Sequence, residues 1–107
     1  MSTLDFEKIL KDSVILLKDE LGKSWKKVEP LAEHYIQQYA EDALILKTEL
    51  LKGSISEEEY AFYSKIHEKS LTNIFLAIKG VGIVTSQRIV NGVIGIVEKA
   101  VLAVVGL

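Results

Sequence analysis

Glu59, Tyr63 and His67 stand four residues apart, the spacing that stacks side chains along one face of an α-helix. A carboxylate, a phenol and an imidazole so aligned are the raw material of a metal site or of acid–base chemistry. Glu59 and His67 are therefore the candidate metal ligands of the chain. Helical proteins that hold metals add carboxylates from other helices and a Glu-x-x-His pair. Here the residue three before His34 is Leu31, and the one three before His67 is Ser64. Neither histidine completes the pair. Glu29 and Glu33 form a second four-residue pair, but two ligands from one helix do not close a coordination shell. The expectation is no metal and no cofactor, with His67 bonded to a neighbouring side chain and His34 on the polar side of its helix.

Nucleophilic chemistry is as thinly supplied. Ser64 or Ser70 beside His67 is the pairing on offer, and no third member stands near them in the sequence. Cysteine is absent, which removes thiolate catalysis, disulfides and cysteine-based zinc sites. The stretch Lys79-Gly-Val-Gly82 lacks the lysine–serine sequel of a phosphate loop and follows no strand pattern. The chain is expected not to be an enzyme. Tyr35, Tyr39, Tyr60 and Tyr63 fall on facing sides of two predicted helices, a pattern that suits core and rim packing. Trp25, beside Lys26 and Lys27, suits a cover for one end of the molecule.

The elements that position these side chains read as helices throughout. A single proline and seven glycines interrupt 107 residues, so long regular segments are expected, folded as one domain over 1–107. Phe6, Leu10, Ser13 with Val14, Leu17, Leu21 and Val28 recur at helical spacing and predict a first helix over about 3–28. Pro30 sets its end, because the residue before a proline is pushed from helical angles. The second helix is expected over 30–52, with Gly53 closing it in a left-handed cap. Ser56 and Glu59 stand at the two positions of a capping box, which starts a third helix over 56–79. The fourth is expected over 83–105.

The last segment decides between soluble and membrane readings. Its valines and isoleucines repeat at helical period, and Arg88 or the Glu98–Lys99 pair interrupts any window of about 20 residues, the length a bilayer span requires. A buried wall of a soluble core is the preferred expectation. Its alternative is a peripheral, membrane-active helix presenting Ile83, Val90, Val93, Ile94, Val97, Val101 and Val104 to lipid.

Short connections between such helices predict an all-α, antiparallel up-down-up-down four-helix bundle. The rival arrangement has three helices, the last long and bent, in a dimer. Fifteen acidic and thirteen basic residues leave a net charge of −2, so no nucleic-acid partner is expected. The charged N-terminal stretch lacks the apolar block of a signal peptide, which predicts a cytoplasmic protein. Ile15, Leu44, Ile45 and Leu51 fall outside the main apolar stripes and form the predicted interaction surface. The function this supports is self-association, as a homo-oligomer, or binding to a protein partner.

Overall fold

A computed structural model describes residues 4–78 and 81–106. It is all-α, and no strand occurs among the described residues. Helix α1 spans Phe6–Leu21, α2 Trp25–Leu51, α3 Glu57–Leu76 and α4 Ile83–Val105. Asp5 starts α1 by accepting the Lys8 N–H at 3.0 Å, a side-chain cap in place of the missing turn. The expected break at Lys79 and Gly80, and the expected start at Thr3, lie outside the described residues.

Between α1 and α2 there is only a 3-10 turn, Gly22–Ser24. Residues 6–51 are thus helical without an intervening loop, and the described residues form three continuous helical stretches. That count fits the three-helix alternative, but the joined pair is the first two helices and not the last: α3 ends at Leu76 and α4 starts at Ile83, whereas the Gly22 turn bends the chain while the helix continues. Forty-six residues of straight helix would reach about 69 Å, yet the longest extent of the molecule is 43 Å. The bend sits at Gly22, whose φ of 58° and ψ of −129° belong to glycine alone among the ordinary residues. Pro30, expected to separate the first two helices, instead lies inside α2. A proline here removes the N–H that would bond the Lys26 carbonyl. Both Pro30 and Lys26 are exposed, so water can take that carbonyl. The helices expected over 3–28 and 30–52 therefore divide at Gly22–Ser24, because backbone freedom at a glycine outweighs a proline placed on the solvent side.

The turn from α2 to α3 follows its local chemistry. Gly53, at φ 77°, donates to the Leu50 carbonyl at 3.1 Å, and Ser54 donates to the Glu49 carbonyl at 2.9 Å. These are the two bonds of a Schellman cap. Glu59 N–H then donates to Ser56 Oγ at 3.1 Å, while Ser56 N–H donates to Glu59 Oε1 at 3.0 Å. Both arms of the capping box are closed, and Glu57, Glu58 and Glu59 sit at the positive end of the helix dipole.

The helices share one core, and two pairs of them run antiparallel. Along α1 and α4, Glu20 meets Arg88 and Leu16 meets Gly92. Along α2 and α3, Asp42 meets His67 and Lys47 meets Tyr60. Helices α1 and α3 each pack on both α2 and α4 but do not touch one another, whereas α2 and α4 do meet. The cross-section is therefore a flattened rhombus with α2 and α4 on its short diagonal. Ile9 and Leu17 of α1, Ile36 and Ala40 of α2, Leu71 and Phe75 of α3, and Ile89, Val93 and Val97 of α4 close the centre. Full burial of a leucine- or phenylalanine-sized side chain contributes about 1.5–3 kcal/mol. Valine and alanine at the diagonal let α2 and α4 approach. Ser13 and Ser86 are wholly buried, and neither hydroxyl has a hydrogen-bond partner.

Candidate functional site

A polar recess lies between α2, α3 and α4, with a volume of about 230 Å³. His67 of α3 lines it, and outside the lining Asp42 of α2 holds its Oδ2 3.5 Å from His67 Nδ1. Tyr39, Tyr60, Ser64, Glu68 and Glu98 complete its polar lining. Burial pushes the Tyr39 phenol above its ordinary range, and the carboxylates of Glu68 and Glu98 and the Tyr60 ring reinforce the shift. Tyr39 is thus a protonated donor at neutral pH and not a base. Ser64 stands one turn before His67 and lines the same recess, but no hydrogen bond joins the two. An aspartate beside an imidazole is the orienting half of a nucleophilic relay. The other half is not assembled.

The metal candidates separate. Glu59 is engaged in the capping box, and His67 faces Asp42 two turns further on. Among the described residues no group of three or more histidine, aspartate or glutamate side chains lies close enough to hold a metal ion. His34 is exposed and stacks edge-on against Tyr35, with ring centroids 5.0 Å apart. Asp42 was not a sequence candidate. Its pairing with His67 is long-range, and no spacing rule reaches across two helices.

A longer groove of about 690 Å³ runs between α1 and α4. Ile9, Ile96 and Val104 form its floor, while Lys8, Asp12 and Lys99 stand on its rim. Small residues keep it open, as Gly92 and Gly95 carry no side chain to fill it. Gly92 also seats α1: a Cβ there would lie within 3.2 Å of Leu16 Cδ1 and 3.4 Å of its Cγ, and closer still to Cδ2.

Exposed apolar residues form the third feature. Of the predicted interaction surface, Ile15, Ile45 and Leu51 are exposed. Leu44 instead packs, partly buried, against the core, because α2 meets neighbours on more of its circumference than its main stripe indicated. The reading missed Phe62 and Ile66, which stand one turn apart on the outward side of α3 at 62% and 44% exposure. Tyr63 lies beside them, its ring edge-on to Phe62 at 5.6 Å. The signal was present as a second apolar line on α3, four residues apart, opposite Leu71 and Phe75.

The candidate membrane face resolves into core. Val90, Val93, Val97 and Val101 are buried, and Ile94 and Val104 are partly buried against the core. Ile83 alone of that set is exposed. No helix among the described residues is long and apolar enough to cross a membrane. Compared with protein-family models, curated proteins and solved structures, the chain matches none.

Proposed function

We propose that the chain packs as an antiparallel up-down-up-down four-helix bundle and acts, without catalysis, by associating with a second copy of itself. The contact is the outward face of the α2–α3 hairpin, with Phe62, Tyr63 and Ile66 of α3 beside Ile45 of α2. The observation that carries this is the first half of α3. From Glu57 to Ser70 no residue is buried, although the segment is helical throughout. Helices of about 12–15 residues are marginal in water without tertiary burial. A partner that covers Phe62 and Ile66 supplies that burial.

Size favours a second copy. A helical hairpin about 30 Å long and 20 Å wide presents roughly 600 Å² per partner, which reaches the 1,200 Å² total at which stable interfaces begin. A two-fold axis through the face would pair each apolar patch with itself. The half-assembled relay at His67 supports hydrogen bonding within the recess better than turnover.

Light scattering across micromolar concentrations tests the proposal. The mass should rise to that of a dimer, and Phe62→Glu or Ile45→Glu should return it to that of a monomer with helicity retained. A chain that remains monomeric throughout, or a dimer indifferent to both substitutions, would overturn it.

A further inference from the structure

One end of the molecule joins the Gly22–Ser24 turn, the last turn of α3 and the first of α4. Glu20, Ser24, Lys27, Ile78, Val81 and Thr85 line one small recess there, which fixes these segments as neighbours. Ile83 and Val84 project from this end at 66% and 68% exposure, and Leu76 of α3 is exposed beside them. Ile83 and Val84 are among the most exposed large apolar side chains of the described residues, and all three sit where helices begin and end.

The charge of this end differs from the other. Lys18, Lys23, Lys26, Lys27 and Arg88 stand against Asp19, Glu20 and Glu29. Arg88 neutralises Glu20 through a 3.1 Å ion pair, and Lys18 lies over the Trp25 ring at 4.9 Å. Lys23, Lys26 and Lys27 are exposed and form no ion pair among the described residues. Helix α2 is about 40 Å long in a molecule 43 Å long, so the Gly53 turn marks the opposite end. There Asp5, Glu7, Asp12, Glu41, Asp42, Glu49, Glu57, Glu58, Glu59 and Glu98 outnumber Lys8, Lys11, Lys47, Lys52, Lys65 and Lys99. The molecule is a rod with a basic, apolar tip and an acidic tail.

We infer that this tip docks end-on to an anionic lipid surface, with Ile83, Val84 and Leu76 entering the interface while Lys23, Lys26 and Lys27 meet the headgroups. Basic residues near such a surface each add attraction, and exposed apolar side chains between them supply the second anchor that reversible binding requires. The acidic tail is repelled and orients the rod. The acidic tail of another copy is the competing occupant, and apolar complementarity argues against it. Among the described residues about the Gly53 turn, Leu51 is the exposed large apolar side chain, too little to cover Ile83, Val84 and Leu76. A bilayer offers apolar depth to the whole tip. Docking of this kind leaves α4 in the core and does not depend on the hairpin dimer.

Trp25 is the only tryptophan and packs, partly buried, at this tip, so its fluorescence reports contact. The full chain is titrated at low salt with vesicles of phosphatidylcholine containing about one-third phosphatidylserine, some carrying bromine on the acyl chains. Binding with quenching of Trp25 is expected. Each lysine among 23, 26 and 27 changed to glutamine should weaken it about fivefold. Ile83→Ser with Val84→Ser should weaken it further at unchanged helicity, and pure phosphatidylcholine vesicles should bind poorly. Equal affinity for neutral vesicles, or a triple lysine variant that binds as wild type, overturns the inference. So does loss of cooperative thermal unfolding on binding, which would mean that α4 has left the core. Low-salt assembly without lipid, abolished by Glu57→Gln with Glu58→Gln, would assign the tip to the acidic tail instead. The hairpin dimer is checked separately with Phe62→Glu, which should leave vesicle binding intact.

Discussion

Gly92→Ala and Gly95→Ala add the same methyl group to one helix, three residues apart, and should have opposite effects. Alanine is favoured over glycine in a helix interior by about 1 kcal/mol, and both sites lie well inside α4. At Gly95 a new Cβ meets nothing within 4 Å, so the full propensity gain is available. For a chain of this size about 0.5–1 kcal/mol raises Tm by roughly 3–6 °C. At Gly92 the Cβ would overlap Leu16 Cδ2 and press on its Cδ1 and Cγ, at 3.2 and 3.4 Å. With both methyls and the branch carbon involved, a small rotation of Leu16 does not clear the site. Either Leu16 leaves its rotamer or α1 moves outward. Overpacking of this kind costs about 1–3 kcal/mol, so the net effect is a loss of about 0–2 kcal/mol. Urea unfolding followed by circular dichroism measures both variants. Leu16→Ala supplies the control, because in that background Gly92→Ala should recover the stabilisation seen at Gly95, a coupling that a double-mutant cycle isolates. If Gly92→Ala stabilises as much as Gly95→Ala with Leu16 intact, the close α1–α4 approach described here is wrong.

Ser56→Ala should cost about 1 kcal/mol in urea unfolding by opening the capping box, and Gly53→Val should cost at least as much by forcing a β-branched residue to positive φ. Ser13→Ala and Ser86→Ala each remove a buried hydroxyl without a partner and should stabilise by about 1 kcal/mol; a drop in the urea midpoint for both would show that these hydroxyls are bonded. Arg88→Gln should change stability by less than about 1 kcal/mol, since the Arg88 side chain is itself exposed, and added salt should shrink the difference. Tyr39 has a raised phenol pKa in the folded state, so above about pH 10 the unfolded chain releases a proton that the folded chain keeps, and stability falls with rising pH. Tyr39→Phe should flatten that alkaline limb, read from unfolding midpoints between neutral and alkaline pH.

Local chemistry was legible in the sequence, and long-range geometry much less so. The Gly53 cap and the Ser56–Glu59 box involve residues a few positions apart, and both bonds of each form as their spacing requires. The first boundary was misplaced because a proline and a glycine competed, and only the burial pattern shows that Pro30 sits on the solvent side of α2. The buried face of α1 centres on Ile9, Ser13 and Leu17, whereas the apolar line through Phe6, Leu10 and Leu21 holds only partly buried residues. Serine carries no hydrophobic signal, so Ser86 could not announce itself as core, and Ser13 was legible only by its place on the stripe of α1. Asp42 and His67 are joined by the packing of α2 on α3, which no periodicity encodes. Val93, Val97 and Val101 are buried, on the side of α4 away from the charges that recur at the same helical period.

The unburied first half of α3 bears on how the molecule breathes. A helix that contributes no buried residue from Glu57 to Ser70 and ends in the anchors Leu71 and Phe75 can fray from its capped end without disturbing α1, which it does not touch. Such sub-global opening needs far less free energy than unfolding the whole chain. Amide hydrogens of residues 61–70 should therefore exchange with solvent well before those of 89–101, and proteases should nick the chain first between Tyr60 and Lys69. A bound partner on this face would slow both, so the exchange rate of one helical segment reports its occupancy.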